Sequence, residues 1–115
     1  MNAIPNIHGL TPDESRIAAA SLKGIALGPW FDPANPRDDD ELKTIVGFHR
    51  SELQRIHARV SSGQTPDDEA KRAINNCLLN LVHYPGAERS EVPRWLAASF
   101  EDVEALYEKW SRLFP

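Results

Sequence analysis

Prolines and glycines divide this chain into short segments, and most of these segments carry the spacing of amphipathic helices. Nine prolines occur, at positions 5, 12, 29, 33, 36, 66, 85, 93 and 115. Proline breaks a helix interior or a central strand but suits the first turn of a helix. No stretch alternates apolar and polar residues over four or more positions with β-branched enrichment, so we predict no strand. The pattern predicts an all-α protein.

Five helices are predicted from these stops and from the capping signals beside them. Thr11 and Glu14 form a capping box before the first helix, and Thr65 with Pro66 gives a similar start to the third. The second helix is the longest, at about 22 residues or roughly 33 Å. The predicted helices run from the Thr11 cap to Gly28, from an Asp38 or Asp39 cap to Ser61, from the Thr65 cap to Tyr84, between Ser90 and Phe100, and from the Ser99 cap to Phe114.

The second helix determines the predicted architecture. Its apolar seam recurs at spacings of 4, 3, 4, 3 and 4, at Leu42, Val46, His49, Leu53, Ile56 and Val60. The short linker from 61 to 64 predicts that the third helix packs antiparallel to it. We therefore predict one domain over residues 1–115, a bundle of about five helices with a long central antiparallel helical hairpin. The residues predicted to be largely buried are Leu53, Ile56, Leu78, Leu81, Val103 and Trp110.

Charge and composition narrow the classes of function. The net charge of −4 argues against a dedicated nucleic-acid binder, which is usually basic. No apolar run approaches the roughly 18 residues of a membrane span. Residues 1–10 lack a basic region followed by a long apolar one, so we expect no secretory signal and a cytoplasmic location. The single cysteine, Cys77, excludes an internal disulfide.

No motif for catalysis or for metal binding is evident. Cys77 lies on the apolar face of a predicted helix, where a thiol acts as a small hydrophobe. His49 and His57 are two helical turns apart, about 12 Å, which is too far for one metal ion. We interpret His49 as a core or interface histidine. The sequence predicts no enzyme activity, no cofactor and no metal.

One acidic and aromatic stretch stands out as a candidate binding surface. Four of the five carboxylate clusters lie in predicted first helical turns, where capping and the helix dipole explain them. The cluster at 38–41 has more acids than a cap needs, and the preceding irregular segment presents two adjacent aromatics that either plug the bundle or anchor a partner. The predicted partner-binding residues are Trp30, Phe31, Asp32, Asp38, Asp39, Asp40 and Glu41. The alternative surface is the arginine face of the second helix, formed by Arg50, Arg55 and Arg59 with Arg72.

In size, charge and helix content the chain resembles the small, acidic, all-helical immunity proteins that bacteria use against secreted toxins. The stretches Trp30-Phe31-Asp32 and Asp38-Asp39-Asp40-Glu41 carry this resemblance. It implies tight binding to a cognate toxin domain, with a basic nuclease as one candidate because complementary charge accelerates encounter. Two alternatives remain open: a homodimeric regulatory or structural bundle built on the seam of the second helix, and a helical domain that binds a small ligand in a pocket.

Overall fold

The computed structural model describes residues 5–27, 36–83 and 92–114, and these ranges contain six α-helices. The helices are α1 (Pro12–Leu27), α2 (Pro36–Val46), α3 (Arg50–Ser61), α4 (Asp68–His83), α5 (Val92–Leu96) and α6 (Phe100–Leu113). The described ranges contain no strand, so the all-α prediction is confirmed. In none of these helices do length and hydropathy reach what a membrane-spanning segment needs.

The first and fourth helices make most of the contacts between helices. α1 packs against α3, α4, α5 and α6, and α4 packs chiefly against α1 and α6. Nine of the 16 residues of α1 are buried, and six of those nine are alanine, serine or glycine, so neighbouring helices can approach it closely. Its start is as predicted, because the Thr11 N–H donates to Glu14 Oε1 (2.8 Å) and the Glu14 N–H donates to Thr11 Oγ1 (3.1 Å).

The prediction of one long second helix is wrong, because the chain turns at Gly47. Gly47 has a φ of +93°, a conformation that glycine adopts easily and other residues rarely. His49 is the N-cap of α3, and its N–H donates to Glu52 Oε1 at 2.9 Å. The Asn76 side chain donates to the Val46 carbonyl at 2.8 Å, which satisfies one of the free carbonyls at the end of α2. The shorter α3 then packs more extensively on α1 than on α4.

Helix caps account for the start of α4 and of α6. The Asp67 carboxylate accepts a hydrogen bond from the Ala70 N–H at 2.8 Å, so Asp67 caps α4 in place of the predicted Thr65. Ser99 caps α6 as predicted, since its hydroxyl accepts from the Asp102 N–H at 3.1 Å. The predicted fourth helix is shorter than expected, because α5 ends at Leu96.

One apolar cluster joins all six helices. All six residues predicted for the core belong to it and are at most 1% exposed. Trp110 of α6 is fully buried, and its ring centroid lies 4.4 Å from that of Phe114. The predicted core residues are therefore buried as expected, although the helix that was predicted to run through residues 38–61 is divided at Gly47.

Candidate functional site

The predicted partner-binding surface is only partly described. Three of its seven residues, Trp30, Phe31 and Asp32, lie outside the described residues. The other four lie on α2: Asp38, Asp39, Asp40 and Glu41. Because α2 begins at Pro36, a position that suits proline, the prediction that Asp38 or Asp39 caps this helix is wrong. Asp38 is partly buried and interacts within the chain.

Asp39 connects the end of one helix to the start of the next. Its Oδ1 accepts from the Arg50 N–H at 2.9 Å, and its Oδ2 lies 3.2 Å from His49 Nδ1. The Arg50 backbone N–H, and then the His49 ring, hold the pKa of the Asp39 carboxyl below its ordinary value. His49 is not a core histidine, since its side chain is 41% exposed at the helix start, and its interpretation as an interface histidine stays a prediction. Asp39 and His49 thus stabilise the turn between α2 and α3.

The next two acidic residues have a different environment. Asp40 and Glu41 are exposed, and neither carboxylate has a hydrogen bond or an ion pair with any residue in the described ranges. They adjoin Asp39, which the turn between α2 and α3 holds in place. The acidic run therefore contributes two freely exposed negative charges, carried on a helix whose C-terminal end is anchored through Asn76.

The two neighbouring aspartates are expected to respond differently to alanine substitution. Asp39→Ala removes the acceptor for the Arg50 N–H and should lower the unfolding free energy by about 1 kcal/mol, whereas Asp40→Ala should change it by less than about 0.5 kcal/mol. A carboxyl whose pKa is lowered by folding stabilises the protein above its unfolded-state pKa, and that contribution is lost as the pH falls through the folded-state pKa. The effect of Asp39→Ala should therefore be largest at neutral pH and shrink in acid. Urea unfolding at several pH values measures this, and equal effects of the two variants would contradict the role given to Asp39.

The arginines of the alternative surface are mostly engaged within the chain. Arg50 donates its Nε–H to a backbone carbonyl of α1. Arg59 pairs with two carboxylates at N–O distances of 3.3 and 3.0 Å. The guanidinium of Arg72 lies 5.7 Å from the centroid of the Phe48 ring. Only Arg55 is exposed on α3 without a contact of this kind to the described residues. Three of the four arginines of the alternative surface therefore already contact other groups of the chain.

The cysteine and the histidines offer no reactive cluster in the described part of the chain. Cys77 is fully buried, and burial raises the pKa of its thiol, which disfavours the reactive thiolate. No group of three or more His, Cys, Asp or Glu side chains within the described ranges is placed to hold a metal ion. His57 Nε2 lies 3.1 Å from Ser61 Oγ, and burial, together with the nearby Lys23, lowers the pKa of His57.

The structure also reveals a basic groove that sequence reasoning missed. It has a volume of about 340 Å³ and lies between α1, α3 and α5. Its basic lining residues are Arg16, Lys23, His57 and Arg94. Helix periodicity places Arg16 and Lys23 on one face of α1 because they are seven residues apart, but only the tertiary fold brings the other two beside them. We call this feature the basic groove.

A second, larger groove lies between α4 and α6. Its volume is about 560 Å³, and its lining mixes the acidic Asp68 with the basic Lys71 and Arg72. The Lys71 ammonium lies 5.2 Å from the centroid of the Phe114 ring, so this cation already contacts an aromatic face. The mixture of charges gives this groove no single preference for ligand charge.

Comparison with known proteins identifies no relative of this chain. No protein-family model matches the chain, and neither the curated proteins nor the solved structures contain a match to it. The resemblance to immunity proteins therefore stays a prediction, and the candidate sites rest on the contacts described above.

Proposed function

We propose that this chain is a non-enzymatic binding protein of the immunity type, which neutralises a cognate toxin domain in the bacterial cytoplasm. The observation that carries the proposal is the pair of exposed carboxylates on α2, Asp40 and Glu41, which have no partner among the described residues. Exposed charge of one sign on a fixed helix steers a partner of opposite charge during encounter. The proposal therefore specifies a basic partner surface, such as that of a nuclease that binds a phosphate backbone.

Fixed geometry around the two carboxylates supports this proposal. Asp39, one position earlier, is held by the Arg50 N–H and by His49. Lys43, one turn further along α2, lies 3.6 Å from a carboxylate oxygen of Glu52 on α3. The acidic face is thus presented by a helix joined to its neighbour at several points, and a pre-organised surface loses little conformational entropy on binding.

The homodimer alternative is less well supported, because the seam proposed for it is already covered. Five of its six residues, Leu42, Val46, Leu53, Ile56 and Val60, are at most 1% exposed within a single chain. A helix face that is buried in its own core is not available to a second copy. The seam therefore gives no apolar surface for dimerisation.

The proposal predicts that a gene for a toxin lies beside the gene for this chain, and the test uses that toxin domain as purified protein and in co-expression. The chain should restore growth of cells that express the toxin domain. The double variant Asp40→Asn/Glu41→Gln should associate about tenfold more slowly at low salt, with a weaker dependence of the rate on salt. Surface plasmon resonance over a salt series measures both quantities.

A matched control removes the same charge from another face. Glu104 and Glu108 are exposed on α6 and have no partner in the described part of the chain, so Glu104→Gln/Glu108→Gln should leave the association rate within about twofold of the parent rate. If the α2 double variant associates as fast as the parent at every salt concentration, the acidic face is not the docking surface. If the chain neither binds the toxin domain nor restores growth, the immunity function is wrong.

A further inference from the structure

The groove between α4 and α6 contains charges of both signs that are not paired with each other. Four side chains from one stretch of α4 line it, at Asp68, Lys71, Arg72 and Asn75. Asp68 and Lys71 are three residues apart, a spacing at which opposite charges can pair on a helix. They form no ion pair with each other or with any other residue in the described ranges. We call this feature the mixed-charge groove.

Aromatic rings position the two cations of this groove. The Lys71 ammonium lies 5.2 Å from the ring centroid of Phe114, the C-cap of α6. The Arg72 guanidinium carbon lies 5.7 Å from the ring centroid of Phe48, in the turn between α2 and α3. A ring face attracts the positive charge but accepts few of the N–H donors of these side chains. Both cations therefore keep donors for a ligand, because neither donates a hydrogen bond to a described residue.

The charges in the lining specify the charges of a complementary ligand. Asp68 supplies one negative charge, and Lys71 and Arg72 supply two positive charges. Asp68 would repel a ligand that carries only carboxylates, and the two cations would repel a simple amine. A molecule with one ammonium and two carboxylates can pair with all three side chains. An acidic α-amino acid has this set of charges.

The size of the groove and the rest of its lining also suit such a ligand. Its volume of about 560 Å³ lies in the range of small-molecule sites. Trp110 lines the groove as well, and its buried indole N–H has no partner among the described residues. Buried donors are seldom left unpaired. The lining thus has an unused donor besides those of the two cations, which favours a ligand rich in carboxylate oxygens.

From these contacts we propose that the mixed-charge groove binds a free acidic α-amino acid. Asp68 pairs with the α-ammonium group and Lys71 with the α-carboxylate, since these two ligand groups share one carbon and the two side chains are neighbours on α4. Arg72 binds the second carboxylate, which matches the planar fork of a guanidinium. This site is separate from the acidic face of α2 and does not depend on the immunity function.

L-glutamate is the probe for this proposal. Isothermal titration calorimetry on the full chain at low salt should detect its binding, and the indole N–H resonance of Trp110 should shift during an NMR titration. Glutarate has the same carbon chain without the ammonium group, and L-glutamine has a neutral side chain. Each should bind at least about tenfold more weakly than L-glutamate.

Variants of the three charged side chains should each change the ligand preference in a different way. Asp68→Asn should weaken the binding of L-glutamate about tenfold without weakening that of glutarate. Arg72→Gln should reduce the affinity for L-glutamate to within about twofold of that for L-glutamine. Lys71→Gln should weaken both amino acids alike, about tenfold. A general loss of structure would instead lower the affinity for every ligand.

Matched controls remove the same charges elsewhere. Asp102, like Asp68, is an exposed aspartate in the first turn of a helix, and Arg55 is an exposed arginine of α3; neither lines the groove. Asp102→Asn and Arg55→Gln should leave the affinity for L-glutamate within about twofold. Asp40→Asn/Glu41→Gln should also leave it within that range, which separates this test from that of the proposed function. Circular dichroism and thermal melting identify any variant that fails to fold.

Three results would overturn the proposal. The first is the absence of any heat or Trp110 shift with L-glutamate at millimolar concentration. The second is binding of glutarate as tight as that of L-glutamate, which would mean that the ammonium group is not recognised. The third is an equal loss of affinity in the control variants, which would indicate general attraction to charge. If Asp68→Asn destabilises the fold, the comparison of L-glutamate with glutarate on the parent chain still tests recognition of the ammonium group.

Discussion

Replacement of Trp110 by alanine is expected to lower the unfolding free energy by about 3–5 kcal/mol. Trp110 is fully buried on α6, and its ring contacts the ring of Phe114. Alanine would leave a cavity that the surrounding helices fill only in part. Since a domain of this size is stable by about 5–15 kcal/mol, this loss is a large share of the total. Urea unfolding followed by circular dichroism measures the change without relying on tryptophan fluorescence.

Phenylalanine at the same position should cost much less, about 1 kcal/mol. The reason is the indole N–H of Trp110, which is buried and has no hydrogen-bond partner among the described residues. A buried unpaired donor costs about 1–3 kcal/mol, so its removal offsets part of the packing lost with the smaller ring. If Trp110→Phe and Trp110→Ala destabilise the protein equally, removal of the unpaired N–H does not offset the lost packing, and this explanation is wrong.

Local signals predicted much of this fold. The capping box of Thr11 and Glu14 and the Ser99 cap each depend on side chains within three positions of one another. The core residues follow from helical periodicity, which places apolar side chains on one face. These features are set by neighbours in the sequence, so they can be inferred before the tertiary structure is known.

The groove and the role of Asp39 could not be inferred in that way. Arg16, His57 and Arg94 come from three helices and meet only because α3 and α5 both pack on α1. Asp39 and Asp40 are adjacent in one acidic run, but successive residues on a helix point about 100° apart. One of them therefore reaches the start of α3, and the other faces solvent. The two aspartates cannot be distinguished by composition, and only the packing of α2 against α3 shows that their roles differ.

The turn at Gly47 could not be recognised from the spacing of apolar residues. The seam keeps its spacing of three and four on both sides of the turn, because α2 and α3 each bury their apolar face in one core. Phe48, inside the turn, is also buried and does not interrupt the apolar pattern. Hydrophobic spacing reports which side chains face the core, and it does not report whether the backbone between them remains helical.

Gly47→Ala therefore distinguishes the broken helix from a continuous one by the sign of its effect. At a φ of +93° an added Cβ makes the backbone unfavourable, and we expect a loss of about 1–2 kcal/mol. The added Cβ would lie 3.6 Å from the Asn76 side-chain nitrogen, an ordinary contact, so the cost comes from the backbone conformation. In a continuous helix the same change would instead stabilise the protein by about 1 kcal/mol, because alanine is the better helix former.

Asparagine at this position provides the matched comparison. It tolerates positive φ better than alanine does but is a poorer helix former. With a turn at Gly47, urea unfolding should rank the stabilities as glycine above asparagine above alanine. A continuous helix predicts alanine as the most stable of the three. The measured order therefore tests the turn that places His49 beside Asp39. It also tests the distinction between Asp39, which stabilises this turn, and the exposed carboxylates of Asp40 and Glu41, which we propose bind a partner.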